Sequence, residues 1–265
     1  NCTQLLLVGD PGQIGPVVTA NTGPWEGAST QPHRRAPEIV SDYPDATVLN
    51  LTSTYRVGAD TVEVISPLYG FDFDSLRPDR HIALRDGRRL PEVGHVRIGE
   101  APNTTDLRHM RQVVEVARQM VGAALHETVD GTETTRTLTP ADVAVVVSHN
   151  SQSNGVMVLL GELGLGEVVV GTADKLQGGQ WPAVVALDPV VGHRRLSEHQ
   201  LNLGRLCVML SRHQAALVWV HDGQADGLLA PHVADGSADA ATGLEVRERI
   251  LSRPAVELAG VGAAA

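Results

Sequence analysis

The residues Val170-Gly171-Thr172-Ala173-Asp174-Lys175-Leu176-Gln177-Gly178-Gly179-Gln180, followed by the apolar run 183–187, decide the fold. A β-rich run enters a polar turn that carries Thr, Asp, Lys and Gln. Two glycines let the backbone turn sharply, and a second apolar strand then leaves. In an α/β domain this pattern places hydroxyl, amide and backbone N–H groups at the carboxyl edge of a parallel sheet, where ligands bind. The stretch therefore predicts a ligand-binding loop between two strands.

Composition is that of an ordinary globular protein. The 265 residues are 42% hydrophobic, which is enough for the core of one large or two modest domains. No apolar run approaches the roughly 20 residues of a membrane-spanning helix. The amino terminus lacks the charged segment of a signal peptide, and two cysteines do not make a disulfide framework. We therefore expect a cytoplasmic protein without a membrane contact.

Charge limits the possible functions. The formal net charge of −10 argues against nucleic-acid binding driven by bulk charge. Residues 77–97 hold six Arg against three acids, which leaves +3 and fits either a solvated loop or a local basic face. Lys175 is the only lysine, and Leu176 follows it. A Walker A loop needs a lysine followed by Ser or Thr, so this sequence contains no such loop.

The order of predicted elements indicates a three-layer α/β fold with a mainly parallel sheet. Strands are predicted for residues 4–8, 95–98, 142–147, 167–170, 183–187 and 215–220. Helices are predicted for residues 61–69, 106–126, 197–214 and 244–252. Residues 19–44 are expected to be an irregular connection, residues 128–139 a polar loop, and the tail after Arg253 loosely ordered.

Arginine and amide side chains are expected to meet at the carboxyl edge of this sheet, with few carboxylates among them. The expected group is Gln13, Arg56, Thr172, Gln177, Gln180 and Arg212. Such a composition suits the binding of polyphosphate or of a nucleic-acid backbone. Arg205 and Arg212 are seven residues apart, so on one helix they would point the same way. The sequence shows no metal cluster and no nucleophile with a base at a persuasive spacing.

Several of these residues also have an ordinary structural interpretation. Gln13 fits a plain surface turn, and Tyr55 fits a core position beside a surface Arg56. A tyrosine next to an arginine also suits stacking on a base while the guanidinium binds phosphate. His149 follows a buried strand, where Ser148 could instead cap the next helix.

Four segments, in order along residues 5–220, resemble the motifs of superfamily 1 helicases. The segments that resemble motifs III and IV are Gly9-Asp10-Pro11-Gly12-Gln13-Ile14-Gly15-Pro16-Val17-Val18 and Ser53-Thr54-Tyr55-Arg56. The segment that resembles motif V of the 5′-to-3′ branch is Gly171-Thr172-Ala173-Asp174-Lys175-Leu176-Gln177-Gly178. The segment that resembles motif VI is Arg205-Leu206-Cys207-Val208-Met209-Leu210-Ser211-Arg212. One match would be weak, but the ordered set is specific.

The resemblance implies two RecA-like domains of the P-loop NTPase type, which clamp ATP with Mg²⁺ between them and move along a single strand. Residues 1–47 would end the first domain and connect it to the second, residues 48–222 would form the second domain, and residues 223–265 would be a tail with one helix. The P-loop and the Mg²⁺ ligands of motifs I and II are expected before residue 1.

The resemblance also assigns roles to residues. On the nucleotide side, Gln13 would sense the γ-phosphate, Tyr55 would stack on adenine, and Arg56 and Arg212 would act as arginine fingers, with Gln177, Gly178, Gln180 and Arg205 beside them. Gln180 stands where the family usually has Glu. On the nucleic-acid side, Thr172 would contact the backbone, with His149 nearby. Gln177 and Gly178 would link the two sides.

The sequence thus predicts the carboxyl-terminal part of an ATP-dependent helicase, an ATP hydrolase that is inactive as this chain alone. Its expected partners are single-stranded nucleic acid, DNA in preference to RNA, and the amino-terminal RecA-like domain of the same protein. The alternative is a non-catalytic nucleic-acid-binding or regulatory module that kept the fold. A third interpretation is an unrelated α/β ligand-binding domain.

Overall fold

The computed structural model describes residues 5–10, 12–15, 21–25, 27–28, 31, 34, 36–41, 43–258 and 261. Its strands are β1 (Ser53–Thr54), β2 (Asp74–Ser75), β3 (Asp79–Ala83), β4 (Val93–Arg97), β5 (Ala124–Val129), β6 (Thr132–Thr137), β7 (Val143–Val147), β8 (Val169–Thr172), β9 (Trp181–Leu187) and β10 (His213–His221). Its α-helices are α1 (Ala36–Ser41), α2 (Ala59–Ile65), α3 (Leu107–Met120), α4 (Asn150–Glu162), α5 (Ala173–Leu176), α6 (Glu198–Leu201), α7 (Leu203–Leu210), α8 (Ala225–Ala234) and α9 (Ala238–Leu251). Short 3-10 helices cover Gly23–Trp25, Ser66–Leu68 and Pro140–Asp142.

Five parallel strands form the central sheet, in the order β4-β10-β9-β7-β8. Nearly every residue of β7, β9 and β10 is buried, because Val, Ala and Leu fill both faces of these strands. Helices cover the sheet on both sides. This confirms the predicted three-layer α/β fold with a mainly parallel sheet, an architecture that agrees with a RecA-like helicase domain.

The two faces of the sheet have separate apolar cores, because successive side chains of a strand point to opposite sides. Val145, Val185 and Val218 belong to the core shared with α3 and α4. Val184 and Trp219, which neighbour two of them along the chain, belong to the core shared with α2, α7 and α9. The three layers therefore follow from apolar residues at every strand position.

A second sheet is antiparallel, in the order β3-β5-β6. The predicted helix over residues 106–126 is wrong after Met120, because Gly122 adopts φ +83 and turns the chain into β5. The predicted loop over residues 128–139 is the hairpin of β5 and β6. Asp130 and Gly131, with φ values of 49 and 76, form its turn. An Asp-Gly pair between β-branched residues is the sequence signal for that hairpin.

The strand predicted for residues 4–8 is also wrong. Residues 5–8 have no regular structure, and Leu5, Leu6 and Val8 are exposed; Gln4 lies outside the described residues. A strand needs a neighbour to pair with its backbone, and within the part of the chain that the structure describes no backbone hydrogen bond joins residues 5–8 to another segment. The apolar residues Leu49 and Leu51 are exposed in the same way.

The helix predicted for residues 197–214 is divided into α6 and α7. Asn202 separates them, and its side chain accepts a hydrogen bond of 2.9 Å from the backbone N–H of Arg205, which caps α7. The helix α7 ends at Leu210, so Arg212 lies outside it. The prediction that Arg205 and Arg212 share one helix face is therefore wrong.

The segment after residue 222 contains two helices, α8 and α9, where the sequence predicted one. Val246 and Ile250 of α9 are buried beneath the central sheet. The chain then continues along β4. His95 N–H donates to the oxygen of Pro254 at 3.2 Å, and Val256 N–H donates to the oxygen of His95 at 2.8 Å. The expectation of a loose tail is wrong for residues 254–258.

Candidate functional site

The predicted site residues lie at two opposite edges of the central sheet. Gln180 and Arg212 immediately precede β9 and β10, and Arg56 contacts this amino edge. Thr172 ends β8 and His149 follows β7, so both lie at the carboxyl edge. The prediction that one carboxyl edge gathers them all is wrong. In a parallel sheet, a residue before a strand and a residue after it are separated by the strand's length.

Arg56 bridges the starts of two strands at the amino edge. Its Nε–H donates to Oε1 of Gln180 at 3.2 Å, and Nη1–H donates to the backbone oxygen of Ser211 at 3.3 Å. Tyr55, the preceding residue, is 66% exposed and offers a free ring face. Because Gln180 is a neutral amide, it orients Arg56 without neutralising the guanidinium charge.

Arg212 is a buried cation without an ion-pair partner among the described residues. Its side chain is 1% exposed. Nη2–H donates to Oγ of Ser211 at 3.0 Å, Nη1–H is 3.5 Å from the oxygen of Gly179, and Nε has no partner. Within the described part of the chain, neither Arg212 nor Arg56 forms an ion pair. Burial lowers the pKa of Arg212 below its ordinary value, and the nearby positive charge of Arg56 lowers it further.

The loop that carries Gln13 lies beside the same edge. Nε2–H of Gln13 donates to Oδ2 of Asp10 at 2.6 Å, and Nε2–H of Gln177 is 3.5 Å from Oε1 of Gln13. The contact joins two segments that are far apart in sequence. Gln177 lies in the crossing between β8 and β9, next to Gly178, whose φ of +88 only glycine adopts easily. Pro11 and residues 16–18 lie outside the described residues.

Tyr69 connects this loop to α7. Its hydroxyl lies 3.3 Å from Oδ2 of Asp10 and 3.3 Å from Sγ of Cys207. Burial raises the pKa of the Tyr69 hydroxyl well above its usual range and raises the pKa of the Cys207 thiol to about 11. Cys207 is therefore a protonated, unreactive thiol that packs and hydrogen-bonds. The other cysteine, Cys2, lies outside the described residues.

An open cleft of about 910 Å³ runs along this edge. Polar side chains line one part of it and exposed apolar residues of the segments 6–8 and 49–51 line another. The polar part is formed by Asp10, Gln13, Tyr55, Arg56, Gln180 and Gln214. The cleft thus offers cationic, amide and aromatic groups together with the carboxylate of Asp10.

A buried network that the sequence did not reveal supports the amino edge. Oε1 of Glu92 accepts hydrogen bonds from the backbone N–H of Gly58 at 2.7 Å and from the hydroxyl of Thr61. Oε2 lies 3.4 Å from Nη2 of Arg77, and the Thr61 hydroxyl lies 2.8 Å from Nε2 of His213. Burial alone would raise the pKa of Glu92, but hydrogen bonds and the nearby positive charges lower it to about 2. Both oxygens of this carboxylate therefore already have hydrogen-bond or ion-pair partners within the chain.

At the carboxyl edge, Thr172 is nearly buried and pairs with Val147. The Nε and Nη2 groups of Arg205 donate to the carboxylate of Asp174 at 3.0 and 3.3 Å. Arg205 and Asp174 line a small cleft with Ser148. The structure therefore does not bring Arg205 together with the arginines of the amino edge.

His149 is one of three histidines at the carboxyl edge. It is the N-cap residue of α4, where Oε1 of Gln152 accepts hydrogen bonds from the backbone N–H of Ser148 and His149. His193, in the loop after β9, and His199, in α6, approach it. Sequence reasoning missed these two because only the sheet order places the loops after β7 and β9 next to each other.

No protein-family model and no curated protein matches this chain. Among solved structures, the chain is similar to the arterivirus nonstructural protein 10, described as a helicase, with a TM-score of 0.28 and 16% identity. The match covers 67% of this chain and 27% of the viral one, so the chain spans about a quarter of that protein. A similarity this low carries no argument about function.

Two further findings concern the described residues. None of their helices is both long and apolar enough to cross a membrane. No group of three or more of their His, Cys, Asp or Glu side chains could hold a metal ion.

Proposed function

We propose that this chain is the carboxyl-terminal part of an ATP-dependent superfamily 1 nucleic-acid helicase or translocase. It supplies two arginine fingers, Arg56 and Arg212, and part of the single-strand groove. The observation that carries the proposal is the burial of the Arg212 guanidinium without an ion pair among the described residues, since the carboxylate of Asp10 acts on it only from beyond ion-pair distance.

A buried charge is unfavourable unless an opposite charge or a full set of hydrogen bonds compensates it. Arg212 has neither, since its Nε is unsatisfied and the nearest cation, Arg56, repels it. Arg212 does not itself line the cleft, but it lies directly behind Ser211, which does, so an anion bound there would offset its charge at close range. The oxygens of a triphosphate would accept hydrogen bonds from Arg56 and from the amide of Gln180 in the cleft wall, and from Arg212 behind them.

In phosphoryl transfer, charge spreads over the equatorial oxygens of the transferred group. Arginines held in place before the reaction stabilise that charge. Arg56 is fixed by Gln180 and Ser211, so it is oriented without being neutralised. Tyr55 would stack on the base and Gln13 would sense the γ-phosphate. Mg²⁺, when bound, neutralises charge between the phosphates; its ligands and the P-loop lysine would come from the amino-terminal RecA-like domain.

The nucleic-acid strand would bind at the opposite edge, with Thr172 and His149 as contacts. Residues 172–181 run from one edge to the other, through Gln177 and Gly178. A movement of residues 172–181 would shift groups at both edges of the sheet. The segment therefore offers a physical route by which the bound nucleotide could change the affinity for the nucleic-acid strand. The resemblance favours DNA over RNA.

The test is calorimetric titration of the 265-residue chain with ATP and with inorganic triphosphate. Replacing either arginine, R56A or R212A, should weaken both ligands about 10- to 150-fold, because a hydrogen bond to a charged group contributes about 1.5–3 kcal/mol. R88A is the matched control, since Arg88 is an exposed arginine paired with Asp86. Y55A should weaken ATP but not inorganic triphosphate.

Equal affinity of the parent and R212A for triphosphate would refute the proposed site. We expect no turnover by this chain alone. Robust hydrolysis stimulated by single-stranded DNA would contradict the expectation that the P-loop lies on another domain.

A further inference from the structure

The carboxyl edge of the sheet contains a crevice at a change of chain direction. From β7 the chain passes to β8 on one side, whereas from β9 it passes to β10 on the other. The loops that follow β7 and β9 therefore separate, and open α/β sheets bind ligands in crevices of this kind. His149 follows β7, and His193 and His199 follow β9. We call these three residues the histidine trio.

The members of the trio touch one another. The Nε2 atoms of His149 and His193 are 3.0 Å apart, and the rings of His149 and His199 stack with centroids 5.1 Å apart at 17°. Nε2 of His199 lies 3.1 Å from the backbone oxygen of Ser148, so it carries the proton of that hydrogen bond. Gln200 Nε2 approaches His149 Nε2 at 3.4 Å. Each ring thus has a defined partner, and the trio is half-buried rather than free in solvent.

Charged residues follow the trio in the chain or line the same small cleft as His199. Arg194 and Arg195 follow His193 and are exposed, and neither forms an ion pair in the described part of the chain. Across the crevice, Arg205 is paired with Asp174. Two further acids complete the surroundings: Asp188, paired with Arg247, and Glu198 at the start of α6. Of these charged residues, two arginines and one glutamate have no ion-pair partner among the described residues, which leaves a local excess of positive charge in a protein of net charge −10.

Burial lowers the pKa of His149 and of His193 below the ordinary imidazole value, and neighbouring histidines lower them further. His149 and His193 are therefore mostly neutral at neutral pH and resist taking up protons. A phosphate beside His149 and His193 would raise their pKa values, because its negative charge favours the imidazolium form. Thr172, a predicted backbone contact, pairs with Val147 at the base of the same crevice.

We propose that the histidine trio, with Arg194 and Arg195, binds backbone phosphates of single-stranded nucleic acid, and that binding tightens as His149 and His193 take up protons. The proposal rests on the proposed function, since it names the groups of the single-strand groove and adds a pH response to them. By linkage, the bound strand must in turn favour protonation of the histidines.

The experiment is fluorescence anisotropy with a labelled single strand of about 20 nucleotides at constant ionic strength, from about pH 8 to about pH 6. The affinity of the parent should rise about tenfold over this range, because an imidazolium attracts phosphate and a neutral imidazole does not. H193Q keeps a hydrogen-bonding side chain but cannot become charged, so its rise should be at most about threefold. H126Q, which removes a histidine from the antiparallel sheet, should behave as the parent does.

The outcomes separate the two proposals. No binding of the strand at any pH refutes nucleic-acid binding altogether. Binding that does not change with pH, or an H193Q slope equal to that of the parent, overturns this inference and leaves the proposed function standing. Should H193Q fail to fold, NMR titration of the parent's histidine ring protons decides: the strand must raise the pKa of His149 and His193, and unchanged values overturn the inference.

Discussion

Two buried arginines, at opposite edges of the sheet, are held in different ways. Arg247, 3% exposed, reaches Asp188 at the carboxyl end of β9 through Nη2 and Nε, with distances of 2.8–3.2 Å, and its Nη1–H donates to the oxygen of Gly243. Arg212, 1% exposed, reaches only one hydroxyl and one distant carbonyl, and its Nε is unsatisfied. The first guanidinium is fully compensated by the protein, and the second is not.

The difference distinguishes Arg247, which stabilises the fold, from Arg212, which belongs to the proposed binding site. A guanidinium that holds elements together brings its own carboxylate, as Asp188 does for Arg247, and the pair ties α9 to the sheet. For Arg212, which is buried without such a pair, the proposed function has the compensating charge arrive from outside the chain. The carboxylates of this edge already have other partners: Glu92 contacts α2 and Arg77, and Asp10 accepts from Gln13 and lies near the Tyr69 hydroxyl.

The largest expected effect comes from breaking the compensated pair. D188N leaves Arg247 buried against a neutral amide, which should reduce the free energy of unfolding by about 3–5 kcal/mol. Urea unfolding followed by circular dichroism measures it. D86N is the control, because Asp86 and Arg88 form an exposed pair that solvent and salt screen, so its loss should hardly change the stability. A loss for D188N as small as that of the control would mean that the compensated pair is not structural.

The second largest effect is the pH-dependent stabilisation by the carboxylate of Glu92 at the amino edge. The pKa of Glu92, about 2 in the folded protein, lies below its unfolded value of about 4.5. The stabilisation from its charge is therefore complete above about pH 4.5 and is lost as the pH falls toward 2, and it amounts to something on the order of 3 kcal/mol. E92Q keeps an acceptor oxygen but not the charge, so it should lose this stabilisation at neutral pH.

The check is to compare the free energy of unfolding of the parent and E92Q at several pH values. The gap between them should shrink as the pH falls below about 4.5. A gap that stays constant down to about pH 2 would contradict the assignment of the shift to Glu92.

The smallest effect should come from the uncompensated arginine. R212M replaces a buried charge with an apolar chain of similar length, so we expect the free energy of unfolding to stay within about 1 kcal/mol of the parent, or to rise. Inorganic triphosphate at about ten times its dissociation constant should stabilise the parent by about 1.4 kcal/mol and R212M hardly at all. A loss of several kcal/mol in R212M without ligand would make Arg212 structural, like Arg247.

Local patterns predicted much of the fold. Continuous apolar runs located β7, β9 and β10, because strands buried on both faces carry apolar residues at every position. The same reasoning failed for residues 5–8, where an apolar run has no strand beside it in the described residues. It also extended α3 across Gly122, because the apolar spacing continues into β5 although the helical backbone conformation ends before Gly122.

The site was predicted in part. The sequence named Arg56, Gln180 and Arg212 as one group, and the structure brings them together. It placed them at the wrong edge because a motif shows which residues are neighbours in the chain, not whether they precede or follow a strand. His193 and His199 carried no motif at all, so nothing in their own segment linked them to His149.

The sequence by itself determined the type of each buried strand, the order of the four motifs and the lack of a P-loop lysine, since these depend only on which residues follow one another. The tertiary structure alone decided which edge each loop reaches, which buried arginine has a carboxylate, and which histidines meet. Those properties arise from strand order and from packing between residues far apart in the chain, and a local pattern does not encode them.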